Sequence, residues 1–164
     1  MMLNLFNIMH NIIDTNNPFL GVDMPYREKS AWVYLLAMLV TFGPYFALVA
    51  AGHVPMEGMP NFKMMQMYAV ACVAQAVLLG AGHLYLRFSS SEDARMPLDE
   101  RDRALSHRSR NWAYSVLMIG IVWVGCFMPF YSAGWHIVNS TIFMITLAEV
   151  VYYATLVFAY RRQA

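Results

Sequence analysis

Ile137-Val-Asn-Ser-Thr-Ile-Phe-Met-Ile-Thr-Leu-Ala-Glu-Val-Val-Tyr-Tyr-Ala-Thr-Leu-Val-Phe-Ala159 is the stretch whose reading decides the fold. Its 23 residues carry no basic side chain and one carboxylate, Glu149. As a helix rising about 1.5 Å per residue, it places Glu149 roughly 18 Å from one end and roughly 15 Å from the other. A bilayer's hydrocarbon core is about 30 Å thick, so the carboxylate falls near its midplane. Ionising it there against lipid costs at least a few kcal/mol. Asn139, Thr146, Tyr153 and Tyr160 recur every seven residues, with Glu149 between Thr146 and Tyr153. Residues so spaced share one side of a helix, and that side is expected to look into protein.

Composition extends this reading to the whole chain. Of 164 residues, 59% are hydrophobic and 13% charged. A soluble domain carries about a quarter charged residues. Charges cluster between long apolar runs, which spells a polytopic membrane protein. Three further runs are long enough to span: Ala31 to Ala51, Met64 to Leu86, and Ala113 to Tyr131. The expected fold is all-α, with four transmembrane helices in residues 27–164 and no strand pattern. Net charge is +1, so no basic field argues for nucleic acid. Cys72 and Cys126 both lie in apolar spans and read as small core residues.

Residues 1–26 are expected to form an amphipathic helix and an irregular lead-in. Asn4, Asn7, Asn11 and Asp14 recur at helical spacing, and Asn16-Asn17-Pro18 ends the pattern. The first 14 residues hold no Lys or Arg, so no cleavable signal peptide is expected. An interfacial helix is the plain reading, but such helices carry Lys or Arg for anionic lipid, so the lack makes a helix docked on a partner subunit nearly as good a reading.

Gly43-Pro44 sits in the middle of the first span, where proline removes a backbone donor and is expected to kink the helix. Gln75 is central in the second span, eleven residues from each end, followed by the small pair Ala76 and Gly80. His83, one turn from that span's end, reads as a solvated or hydrogen-bonded histidine. Before the third span, Asp99 is an N-cap candidate, with acidic residues in the first turn and Asp99 and Arg103 spaced for an i,i+4 pair. That helix is expected to begin near residue 99 and run on into the span. Asp99, Arg101, Asp102 and Arg103 form its candidate interaction surface.

Ten of the eleven Lys and Arg residues fall on one side of a four-span arrangement, and only Lys63 on the other. Basic residues concentrate on cytoplasmic loops, so both termini are expected to be cytoplasmic.

Arg27-Glu28-Lys29-Ser30-Ala31-Trp32, Leu98-Asp99-Glu100-Arg101-Asp102-Arg103, and Leu147-Ala148-Glu149-Val150-Val151-Tyr152 with Tyr160-Arg161-Arg162 together resemble a group of small bacterial inner-membrane proteins with four predicted spans. The similarity covers most of residues 27 to 162. It implies a bacterial inner membrane and four spans, and it implies no reaction.

The chemistry centres on Glu149. No cation shares its depth, so a proton would neutralise it, and Gln75 at the same depth could accept from the acid and donate to its carbonyl. The expected intramembrane polar site is therefore Glu149, Gln75, Tyr153, Thr146 and Asn139. No spaced metal motif joins His53, His136 and Glu57, and His83 has no counterpart for bis-histidine haem, so lipid is expected and haem is not, and the residues name no other cofactor. Three functions follow. The first is a non-enzymatic subunit that packs as a homo-oligomer or in a larger membrane complex. The second is a proton-coupled transporter or channel using Glu149. The third is a regulatory protein that binds a soluble partner through its charged helix.

Overall fold

The computed structural model describes residues 25–56, 58, 60–89 and 99–162. The expected N-terminal helix lies outside them. The described residues form four helices long and apolar enough to cross a membrane, and no strand. They are α1 (Tyr26–Ala50), α2 (Phe62–Ser89), α3 (Glu100–Val122) and α4 (Trp135–Arg161).

Each helix starts and stops for a local reason. Pro25, extended at φ −61° and ψ 147°, precedes α1, and its carbonyl accepts from the amides of Glu28 and Lys29. At the other end Gly52 adopts φ 69°, a left-handed conformation that costs glycine little. The Gly52 amide donates to Val49 and the His53 amide to Leu48, which closes α1 in a Schellman turn. Asn61 caps α2, its Oδ1 accepting from the Met64 amide at 3.1 Å, while its Nδ2 donates to Pro55 at 2.7 Å and ties down the loop. Asp99 stands at the expected N-cap of α3, accepting from the Glu100 amide at 2.7 Å. Gly134, at φ 60°, turns the chain into α4.

Pro44 sits inside α1 without ending it. The Thr41 hydroxyl, one turn before it, lies 2.8 Å from the Ala37 carbonyl of its own helix. Pro129 has a larger effect. It cannot donate to Gly125, and its ring would crowd that carbonyl. The α3 ladder accordingly widens into a π turn over Trp123–Phe127, with the Met128 amide reaching Trp123, and then tightens to a 3-10 turn over Met128–Phe130.

The principal packing pairs are α1 with α2, α1 with α4, and α3 with α4. α1 is the central rod: 39% of its apolar window is buried, against 11% for α3. Two clusters pin the ends. Ala31, Leu105, Leu156, Val157 and Tyr160 join α1, α3 and α4 near the arginine-rich end. Tyr45, Val49, Met64, Ala71 and Trp135 join α1, α2 and α4 at the opposite end.

Glycines show where helices touch. A Cβ on Gly82 would stand 2.5 Å from Val33 Cγ1, and one on Gly120 would meet Met144 from Cβ to Sδ at 2.7–2.9 Å. A Cβ on Gly80 would meet nothing, so the Ala76/Gly80 pair faces outward and plays no part in packing among the described residues. Gly82→Ala is expected to lower stability by about 1–3 kcal/mol through overpacking against α1. Gly80→Ala should leave it level or slightly raised, because alanine favours helix by about 1 kcal/mol. Thermal melts in one detergent, reading both variants, check this.

Candidate functional site

The polar stripe of α4 meets protein along most of its length. Asn139 Oδ1 accepts from the Tyr45 hydroxyl at 2.5 Å, and Asn139 is only 5% exposed. Tyr153 stacks on Tyr34, the rings 4.6 Å apart and within 3° of parallel. The Tyr160 hydroxyl donates to Asp102 Oδ1 at 2.9 Å. Thr146, half-buried, donates to its own Ile142 carbonyl at 2.9 Å.

Glu149 and Gln75 depart from the expected pair. Gln75, 8% exposed, accepts from the Thr41 hydroxyl at 2.6 Å, across the α1–α2 contact. Glu149 is exposed. The reason lies in lateral order. α2 packs chiefly on α1, so equal depth on α2 and α4 does not make two side chains neighbours. Rotation adds to this: three residues past Thr146 and four before Tyr153 place Glu149 about 40–60° off the line those two define. The Gln75 amide nitrogen is left buried with no partner. A distance of 2.6 Å suits O–H···O better than N–H···O, which supports this amide orientation.

Gln75→Leu should therefore be neutral or stabilising by up to about 1 kcal/mol, since it deletes an unmatched buried donor and lets the Thr41 hydroxyl turn its proton to the Ala37 carbonyl 2.8 Å away. A loss of several kcal/mol in a thermal melt would mean that Gln75 holds another group in place.

Sequence reading missed the residues of α1 that organise the polar contacts. Tyr34 shares a 2.7 Å hydrogen bond with His83 Nε2 on α2 and stacks on Tyr153 of α4. Tyr152 packs edge-on to Tyr153 and shares a 2.9 Å hydrogen bond with Ser106 of α3. One column thus runs His83, Tyr34, Tyr153, with Glu149 one turn further along α4. Tyr34, Thr41 and Tyr45 lie seven and four residues apart, a one-sided helical spacing that was open to view in the sequence.

The arginine-rich end forms a clamp. Arg27 Nε is 2.9 Å from Asp102 Oδ2, while the other oxygen of that carboxylate takes the Tyr160 proton. Arg161 Nε lies 3.3 Å from Glu28 Oε1, with its guanidinium 5.6 Å above the Trp32 ring. Asp102 therefore binds α1 and α4, and Asp99 caps its own helix. Only Arg101 and Arg103 of the candidate interaction surface are exposed beside Asp99. Cys126, expected in the core, is exposed, and Cys72 is half-buried; both are free thiols.

At the opposite end a cavity of about 410 Å³ opens between α1, α4 and the π turn of α3. Asn139 and Ser140 stand in its wall, and His136 at its mouth is shared with a second cavity of about 630 Å³ under the connecting loops. No protein-family model, curated protein or solved structure matches the chain.

Proposed function

We propose that this is a non-enzymatic protein of a bacterial inner membrane, both ends cytoplasmic, that works packed against further helices, either copies of itself or subunits of a larger complex. The exposed carboxylate of Glu149 carries this reading. It lies at mid-height on α4, where the other exposed side chains between His136 and Arg161 are Phe143, Ile145 and Phe158, and among the described residues it makes no hydrogen bond or ion pair. Facing acyl chains, even the protonated acid would leave a donor and acceptor unmatched, at a cost of several kcal/mol. A covering protein removes that cost. The open faces of α2 and α3 support the same reading, since Val70, Val73 and Val77 on one and Ile119 and Trp123 on the other are all more than half exposed. The concentration of Lys and Arg at one end supports the orientation.

Gentle extraction of the protein with its surrounding lipid, followed by native mass measurement, tests the proposal. The expected particle contains more than one polypeptide. A single chain carrying only lipid would overturn it.

The column of His83, Tyr34, Tyr153 and Glu149 favours a second reading, in which the assembled protein moves protons coupled to a substrate. Tyr34 and His83 share a hydrogen bond and Tyr153 stacks on Tyr34, which gathers proton-carrying groups from mid-depth toward the arginine-rich end. Under that reading Glu149→Gln keeps the assembly and abolishes proton flux into vesicles. Equal flux in both proteins would exclude it.

A further inference from the structure

The cavity beside the π turn has properties that neither reading uses. Asn139 stands in its wall, with its Oδ1 already accepting from Tyr45 and its amide nitrogen buried without a partner. The 2.5 Å contact fits O–H···O and is too short for N–H···O, so the unmatched atom is the NH2 donor. Leaving such a donor bare costs about 1–3 kcal/mol. Ser140 and His136 add polar groups on the same flank of α4, one on the next residue and one a turn toward the connecting loop. The rest of the lining is apolar and largely ringed, with Phe46, Phe143 and Trp123 beside Met128 and Met144. Phe46 and Phe143 meet edge-to-face at 5.1 Å. The backbone itself is reshaped here, because Pro129 forces the π turn that supplies Trp123 and Val124 to the wall. π turns recur at functional sites for this reason: they re-aim side chains without ending the helix.

From this arrangement we propose that the cavity binds an uncharged, lipid-soluble ring compound bearing a carbonyl oxygen, of the quinone class, with that oxygen accepting from the Asn139 amide. Charge decides against lipid phosphates and carboxylates. Among the described residues the cavity wall contains no Lys, Arg, Asp or Glu, and its titratable groups are His136 and Tyr131. A donor set in an apolar wall selects for an acceptor carried on an apolar body. Aromatic and methionine walls suit a flat, polarisable ring, because offset and edge-on contacts and sulfur–ring contacts all become available. A volume of about 410 Å³ lies within the range of small-molecule sites and leaves room for a ring and the start of a tail. The inference is independent of what covers Glu149, which projects from α4 at a different height.

Equilibrium binding of decylubiquinone to the full chain in nanodiscs tests it, with protein-free nanodiscs as the partition background and dioctanoylglycerol as a ringless carbonyl competitor. Saturable binding above background is expected, with Asn139→Leu about tenfold weaker, the worth of one hydrogen bond of about 1.4 kcal/mol. Ser140→Phe, which fills the cavity and leaves the Tyr45–Asn139 bond in place, should abolish it while the thermal melt holds. Dioctanoylglycerol should not displace the quinone. Binding that tracks the protein-free background, equal affinity in both variants, or displacement by dioctanoylglycerol would each overturn the assignment.

Discussion

Asp102→Ala is expected to cost about 2–3 kcal/mol of stability, the largest effect of any single side-chain truncation outside the apolar core. One carboxylate is the meeting point of three helices: it takes Arg27 from α1 and the Tyr160 hydroxyl from α4, and it projects from the first turn of α3. Removing it takes one partner from the Arg27 guanidinium and leaves a buried phenol to find water, and hydrogen bonds to charged groups are worth about 1.5–3 kcal/mol each before exposure discounts them. Arg27 and Asp102 are partly exposed, so the ion pair contributes less than its geometry suggests. Asp102→Asn keeps an acceptor for Tyr160 and should recover about half of the loss. Asp99→Ala, which deletes only the helix cap, should cost about 1 kcal/mol. Denaturation in a single detergent, followed by tryptophan fluorescence, ranks the three. If Asp99→Ala proved the more damaging, the clamp would be an incidental surface contact.

Glu149→Leu should have its largest effect on assembly. Within one chain nothing described depends on Glu149, and leucine at an apolar surface should leave the isolated subunit as stable as before or more so. In the membrane the same change removes the one mid-height polar group on that flank of α4. The fraction of assembled protein after native extraction should fall about tenfold or more, corresponding to at least about 1.4 kcal/mol of lost contact. Glu149→Gln, which still donates and accepts, should retain most of the assembly. If the leucine variant assembled normally, lipid would be covering a carboxyl group at no cost, and the physical argument for a protein neighbour would fail.

What could be read in advance follows from which interactions are local. Span length and hydropathy depend only on consecutive residues, and the four helices lie where the apolar runs are. The Asp99 cap is a one-residue decision, and it formed. The inward face of α4 needed only a repeat of seven, and Asn139, Tyr153 and Tyr160 all reach protein. Lateral neighbours depend on the packing order of the helices, which no single helix encodes. Depth alone paired Gln75 with Glu149, whereas α1 lies beside α2 and supplied Thr41. Asp99 with Arg103 looked like a natural local ion pair, yet the clamp is made by Asp102 with a tyrosine 58 residues away. The π turn has a local cause in Pro129, but the cavity it helps to line required the other two helices to be in place.

A photo-activatable benzophenone amino acid placed at position 149, irradiated in the cells' own membrane, reads directly what touches that flank of α4. The account predicts a discrete protein adduct, either a second copy of this chain or one other polypeptide, identified by mass. Adducts to phospholipid alone would contradict it.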